Sequence, residues 1–133
     1  MFNKGSIESY ENISWRISGM RSIREYEIAN LGDTAEISEY DMRCATGGGM
    51  DRVPVRKVHC ANSQILEILN SVEMLKWDGF NGRHPRGVRD GEMLSFRASV
   101  NGGTSIRAGG SENFPKGFRD FRRAVDALLA ENS

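Results

Sequence analysis

The apolar residues of this chain change their spacing partway along, and that change restricts the folds open to it. Ile13, Trp15 and Ile17 alternate with Ser14, Arg16 and Ser18, the period of a half-buried strand. Residues 19–22 read as a turn, and Ile23–Leu31 follows with Tyr26 and Ile28 on one face. Leu31-Gly32-Asp33-Thr34 is a second turn signal before Thr34–Cys44. In that third run Ile37 is odd while Tyr40, Met42 and Cys44 are even, which predicts a bulge near Ser38 or Glu39. Thr46-Gly47-Gly48-Gly49 lacks the lysine and following helix of a phosphate-cradling loop and reads as a plain loop. Val53, Val55 and Val58 suggest a short strand, and Pro54 places it at an edge because it has no donor.

The period then lengthens. Ile65, Ile68, Leu69, Val72 and Leu75 fall on one stripe of a helix over Asn62–Trp77, with Asn62 or Ser63 as its cap and Gly79 as its left-handed stop. Burying five such side chains stabilises by about 10 kcal/mol gross, so the stripe is core. Alternation returns in Leu94, Phe96, Ala98 and Val100, reverses at Asn101-Gly102-Gly103, and continues over Thr104–Ala108. Phe118, Phe121, Val125, Leu128 and Leu129 form a second helical stripe. The order βββ(β)αββα predicts one α+β domain over residues 1–133. It is an antiparallel sheet, a meander plus a C-terminal hairpin, with two helices packed on one face.

A hairpin over residues 94–108 has a functional consequence, because its two ends lie side by side. The glycine-rich connectors over 77–91 and 109–118 must therefore share one end of the sheet. The first helix ends there and the second begins there, offering unpaired N–H groups and partial positive charge. Arg83, His84, Arg86, Arg89 and Lys116 bring cationic donors to that end. Trp77, Phe80 and Phe114 bring apolar surface, and Ser111 a hydroxyl. The competing structural account is that the glycines permit tight turns and the arginines complement a helix C-terminus.

Composition excludes several classes. With 18 basic and 18 acidic residues the formal charge is zero, whereas a protein that grips a phosphate backbone carries a basic excess. Nucleic acid is thus not an expected partner. No apolar run is long enough for a leader or a membrane span, so the expected location is the cytoplasm, without membrane contact. Two cysteines, Cys44 and Cys60, suit a reduced compartment.

Catalytic patterns are thin. His59 and Cys60 are adjacent, and adjacent strand residues face opposite ways, so they make no local nucleophile–base pair. Cys44, His59, Cys60 and His84 lack the spacing of a zinc site, and no cofactor motif is present. Glu25, Glu27, Glu36, Glu39 and Asp41 read as a solvated sheet face.

Trp77-Asp78-Gly79-Phe80, then Asp90-Gly91-Glu92 leading into a hydrophobic strand, then Gly110 and Phe114-Pro115 before a final helix resemble a family of uncharacterised bacterial proteins. That family shows W-x-G-F, D-G-x-x-(W/F)-x-L and G-x-x-x-(F/Y)-P-x-x-(F/W). The resemblance spans residues 75–133 and departs at Leu94, where the family has an aromatic. It implies no activity, only that these connectors recur as a unit. The expected function is a non-enzymatic binding or regulatory domain. It would recognise a partner protein or a small anionic ligand at the end formed by 77–91 and 109–118, with a homodimer through the edge strand as a further contact. The alternative is a small hydrolase or transferase acting on an anionic substrate there, with His84 as proton carrier.

Overall fold

The computed structural model describes residues 6–19, 22–83, 86–87 and 91–131. Four strands come first: β1 (Tyr10–Ser18), β2 (Ile23–Asn30), β3 (Thr34–Cys44) and β4 (Met50–Ala61). Helix α1 (Asn62–Ser71) and a 3-10 turn (Met74–Trp77) lead to the two-residue β5 (Asn81–Gly82). The hairpin β6 (Met93–Val100) and β7 (Thr104–Ser111) precedes helix α2 (Phe118–Glu131). Together the strands make one seven-stranded sheet in the order β4-β3-β2-β1-β6-β7-β5. Every pair is antiparallel except β5 with β7. No described helix is long and apolar enough to cross a membrane.

The alternating residues do what their period requires. Ile13, Trp15, Ile17, Tyr26, Ile28, Ile37, Leu94, Phe96, Ala98 and Ile106 turn to one face and are buried there. Ile65 and Leu69 of α1 and Phe118, Phe121, Val125 and Leu129 of α2 close over that face. At its centre Phe121 meets Trp15, Trp77 and Phe96 edge-on, with ring centroids 4.8, 5.6 and 6.2 Å apart. Edge-to-face pairs of this kind add about 0.5–1.5 kcal/mol each beyond the area they bury.

Three sequence expectations are corrected. The helix expected over 62–77 breaks at Glu73, whose φ of 53° is left-handed, and restarts as a 3-10 turn. The break rotates the chain, so Met74 is fully buried where the continuous stripe assigned Leu75. Asn62 does not cap α1. Its side chain accepts from the Tyr10 hydroxyl at 2.5 Å and donates to the Gly32 carbonyl at 2.9 Å, fastening the β2–β3 turn. Gln64 takes over the helix start by accepting from the Ala61 N–H at 3.1 Å.

The third correction concerns β3, which runs without a bulge against β2. The irregularity lies in β4, where Glu39 opposes Arg56 and Tyr40 opposes Pro54, leaving Val55 as the extra residue. With β3 in regular alternation, Glu39 joins Ile37 on the core side instead of the solvated face, only 3% exposed. It accepts from Arg56 Nε at 2.6 Å and from the Tyr26 hydroxyl at 2.9 Å, with Arg24 at 3.3 Å. Burial pushes its carboxyl upward, but the hydrogen bonds from Arg56 and Tyr26 and the charges of Arg56 and Arg24 outweigh it and hold the group below its ordinary range.

The two borders of the sheet are treated differently. On the β7 side, Gly79 N–H donates to the Arg107 carbonyl at 2.8 Å, Asp78 Oδ1 accepts from the Arg107 N–H at 2.9 Å, and Gly109 N–H donates to the Phe80 carbonyl at 2.9 Å. Residues 78–82 thus seal that edge. On the other side β4 is the terminal strand over twelve residues, the edge position that Pro54 predicts.

Candidate functional site

The connectors expected to share one end of the sheet do so, and they interlock. Asn81 and Gly82 lie beside Gly109 and Gly110 in a short parallel pair. The backbone carbonyl of Asn113 sits directly over Gly82 and Gly110, where a Cβ on either would overlap it. These two glycines serve close approach, not an unusual φ. Asn113 Nδ2 reaches the Arg83 carbonyl at 3.4 Å, and Glu112 N–H donates to the Glu92 carbonyl at 2.8 Å. Gly79 has φ of 82° and ends the 3-10 turn, as its left-handed freedom allows.

Between these parts lies a cleft of about 420 Å³. Val72 and Lys76 line it from the first helical segment, Trp77 and Phe80 from one connector, and Pro115 and Lys116 from the other. Trp77 is buried, and its indole N–H donates to the Lys116 carbonyl at 2.8 Å. This is the loop carbonyl that a tryptophan at the end of the sheet needs. Gly117, with φ of 93°, lies so close to Val72 that a Cβ would come within 2.9 Å of the Val72 carbonyl. Glu73 and Asp120 bring acidic groups to the rim, and Glu73 is paired with Lys76 at 3.1 Å. The cleft is apolar at its floor and charged at its mouth.

The predicted site residues divide. Trp77, Phe80 and Lys116 come together in the cleft. Arg83 and Arg86 are exposed and do not line it. Ser111 is half-buried at the end of β7, opposite Met93, and also stands outside the lining. His84 and Arg89 lie outside the described residues, as does Asp90. Val72 was read from the sequence only as part of the helical core stripe, and Lys76 was not singled out. Their signal is positional, since both precede Trp77 on the segment that the Glu73 break turns toward α2.

Phe114 packs against Phe118 at 5.4 Å and closes this end as its spacing before α2 suggests. Asp78 accepts from the backbone N–H of Arg107 in β7. The cysteines stand apart. Cys44 opposes Met50 and Cys60 opposes Ala35, at opposite ends of the β3–β4 ladder. Burial pushes the Cys60 thiol upward, away from the thiolate a nucleophile requires. The His59 ring is 3.0 Å from Glu36.

Compared with known proteins, no family model, no curated protein and no solved structure matches the chain.

Proposed function

We propose that this chain is a non-enzymatic binding or regulatory domain that takes a partner protein or a small anionic ligand where the two connectors meet. The observation that supports this reading is the cleft lined by both of them, with Trp77 and Phe80 on one side and Pro115 and Lys116 on the other. Its volume suits one large side chain or a small organic acid. The floor of Val72, Trp77, Phe80 and Pro115 offers apolar contact, and Lys116 offers a point charge for a carboxylate. The residues that carry the resemblance to the uncharacterised bacterial family, Trp77 to Phe80, Gly110, Phe114 and Pro115, belong to the segments that interlock here, and we read them as the frame of the site.

The test is an NMR titration with N-acetyl amino acids bearing aromatic and acidic side chains. A binder is expected to shift the Trp77 indole N–H and the Gly117 amide saturably, and Lys116→Glu is expected to weaken it about tenfold. If no member of the panel moves either resonance, the cleft is not the site.

A second copy of the chain is the other partner we propose, along the open edge of β4. Pro54 withholds a donor from that edge, and the extra residue Val55 interrupts the ladder beside it. Such a dimer is weak. Sedimentation over a rising concentration series is expected to show association only at the highest concentrations and none in Val55→Lys, because Val55 is an exposed apolar residue in the middle of that edge, with Met50 at its start. Equal association in Val55→Lys would remove β4 from the interface.

A further inference from the structure

The face of the sheet turned away from the helices is polar, and its bases are nearly all neutralised. Arg16 meets Glu25 at 2.5 Å. Arg52 lies 3.3 Å from Glu25 and 3.1 Å from Glu27, stacked over the Tyr40 ring. Lys57 and His59 both approach Glu36, at 3.7 and 3.0 Å. Arg97 and Arg107 are the exception. They are directly opposite each other in the β6–β7 hairpin and both point to this face. Among the described residues neither guanidinium has a carboxylate within ion-pair distance. Asp78 is nearby, but it is engaged with the Arg107 backbone N–H. Like charges placed directly across a ladder destabilise a sheet, so this pair is an arrangement that stability alone does not favour.

The surroundings form a hollow of about 360 Å³ lined by Phe80, Asn81, Ser95, Arg97, Arg107 and Gly109. Ser95 opposes Gly109 one step along the same face from the arginine pair. These four positions make a square of two guanidiniums, one hydroxyl and one missing side chain. A Cβ at 109 would press against the Leu94 carbonyl at 3.2 Å. Asn81 lies beside Gly109 and adds an amide, while Phe80 supplies an aromatic wall.

We propose that this hollow binds a phosphate group, free or as the monoester of a small molecule, bridged between Arg97 and Arg107. A dianion neutralises both charges, and its three terminal oxygens match two guanidinium forks better than a carboxylate's two. Ser95 and Asn81 complete the donors. A nucleic-acid strand fits poorly, because the neighbouring bases are spent on Glu25, Glu27 and Glu36 and leave no continuous positive track. The site is separate from the cleft at Lys116, with Phe80 lining both.

Thermal unfolding with inorganic phosphate at constant ionic strength tests this directly. Phosphate is expected to raise the midpoint of the wild type saturably, and Arg97→Gln or Arg107→Gln each to weaken the apparent affinity at least tenfold. In chloride alone the same variants are expected to unfold at or above the wild-type midpoint, since they remove repulsion. Lys116→Glu should leave the phosphate response intact. Phenyl phosphate binding more tightly than inorganic phosphate would place an organic group against Phe80, and equal binding would assign free phosphate. No saturable response in the wild type, or an unchanged response in Arg97→Gln/Arg107→Gln, would overturn the proposal.

Discussion

Gly110→Ala is expected to destabilise the protein by about 3 kcal/mol, at the upper end of what overpacking does. The new methyl would overlap the backbone carbonyl of Asn113, and a carbonyl cannot rotate aside as a side chain can. To make room, residues 112–115 must lift, which loosens Phe114 from Phe118 and disturbs the entry to α2. Gly82→Ala should act alike, because its methyl meets the same oxygen. Once the carbonyl has moved for one methyl, the second meets less resistance. The double variant is therefore expected to lose clearly less than the two single losses added together. Gly48→Ala serves as the contrast. Its φ of 104° makes alanine strained, yet nothing lies within 4 Å, so about 1 kcal/mol is expected. Urea unfolding of the four variants measures all of this. Equal losses for Gly110→Ala and Gly48→Ala would show that the Asn113 contact yields freely.

Glu39→Ala should be at least as damaging, at about 3–5 kcal/mol, because it leaves Arg56 and the Tyr26 hydroxyl facing each other without their shared acceptor. Tyr26→Phe removes one bond to the carboxylate and is expected to lose about 1.5 kcal/mol. The pH dependence has a definite sign. In the folded protein the Glu39 carboxyl titrates below its ordinary value of 4.5. Its stabilisation is therefore complete above that value and is lost as pH falls through the lower, folded one. Glu39→Gln abolishes this part of the acid response. Unfolding free energies measured from pH 7 downward should converge for wild type and Glu39→Gln in acid. A constant gap between the two curves would mean that Glu39 does not titrate with folding.

Much of the architecture was legible because period and turn chemistry agree. Asn101-Gly102-Gly103 between two alternating runs fixes the hairpin, and the hairpin brings the two connectors together. Pro54 places β4 at the border. What escaped reading depends on contacts remote in sequence. Tyr40, Met42 and Cys44 mimic an inward face because they are apolar and even-numbered. In fact Tyr40 carries the stacked Arg52 on the outer face, and the charged Glu39 takes the inward position. A buried carboxylate is invisible until Arg56 and Tyr26 are seen to converge on it. Gly82 and Gly110 look like ordinary turn residues until Asn113 is placed above them. Of the residues lining the cleft, Trp77, Phe80 and Lys116 could be named from the connectors' shared end. The pairing of Arg97 with Arg107 was also within reach, since a tight turn that sets Val100 opposite Thr104 sets these two opposite each other.

Strand order has a further consequence during synthesis. β1 is central, but its partner on one side, β6, lies about 80 residues downstream, so a long loop must close before that ladder can form. At about 5–20 residues per second the ribosome needs several seconds to deliver it. Throughout that interval the nascent meander presents an unsatisfied strand bearing Ile13, Trp15 and Ile17, without the helix that later shields them. Crowded polysomes expose this chain to mispairing between neighbours at that stage, and a chaperone that shelters β1 would be most useful before Met93 leaves the exit tunnel.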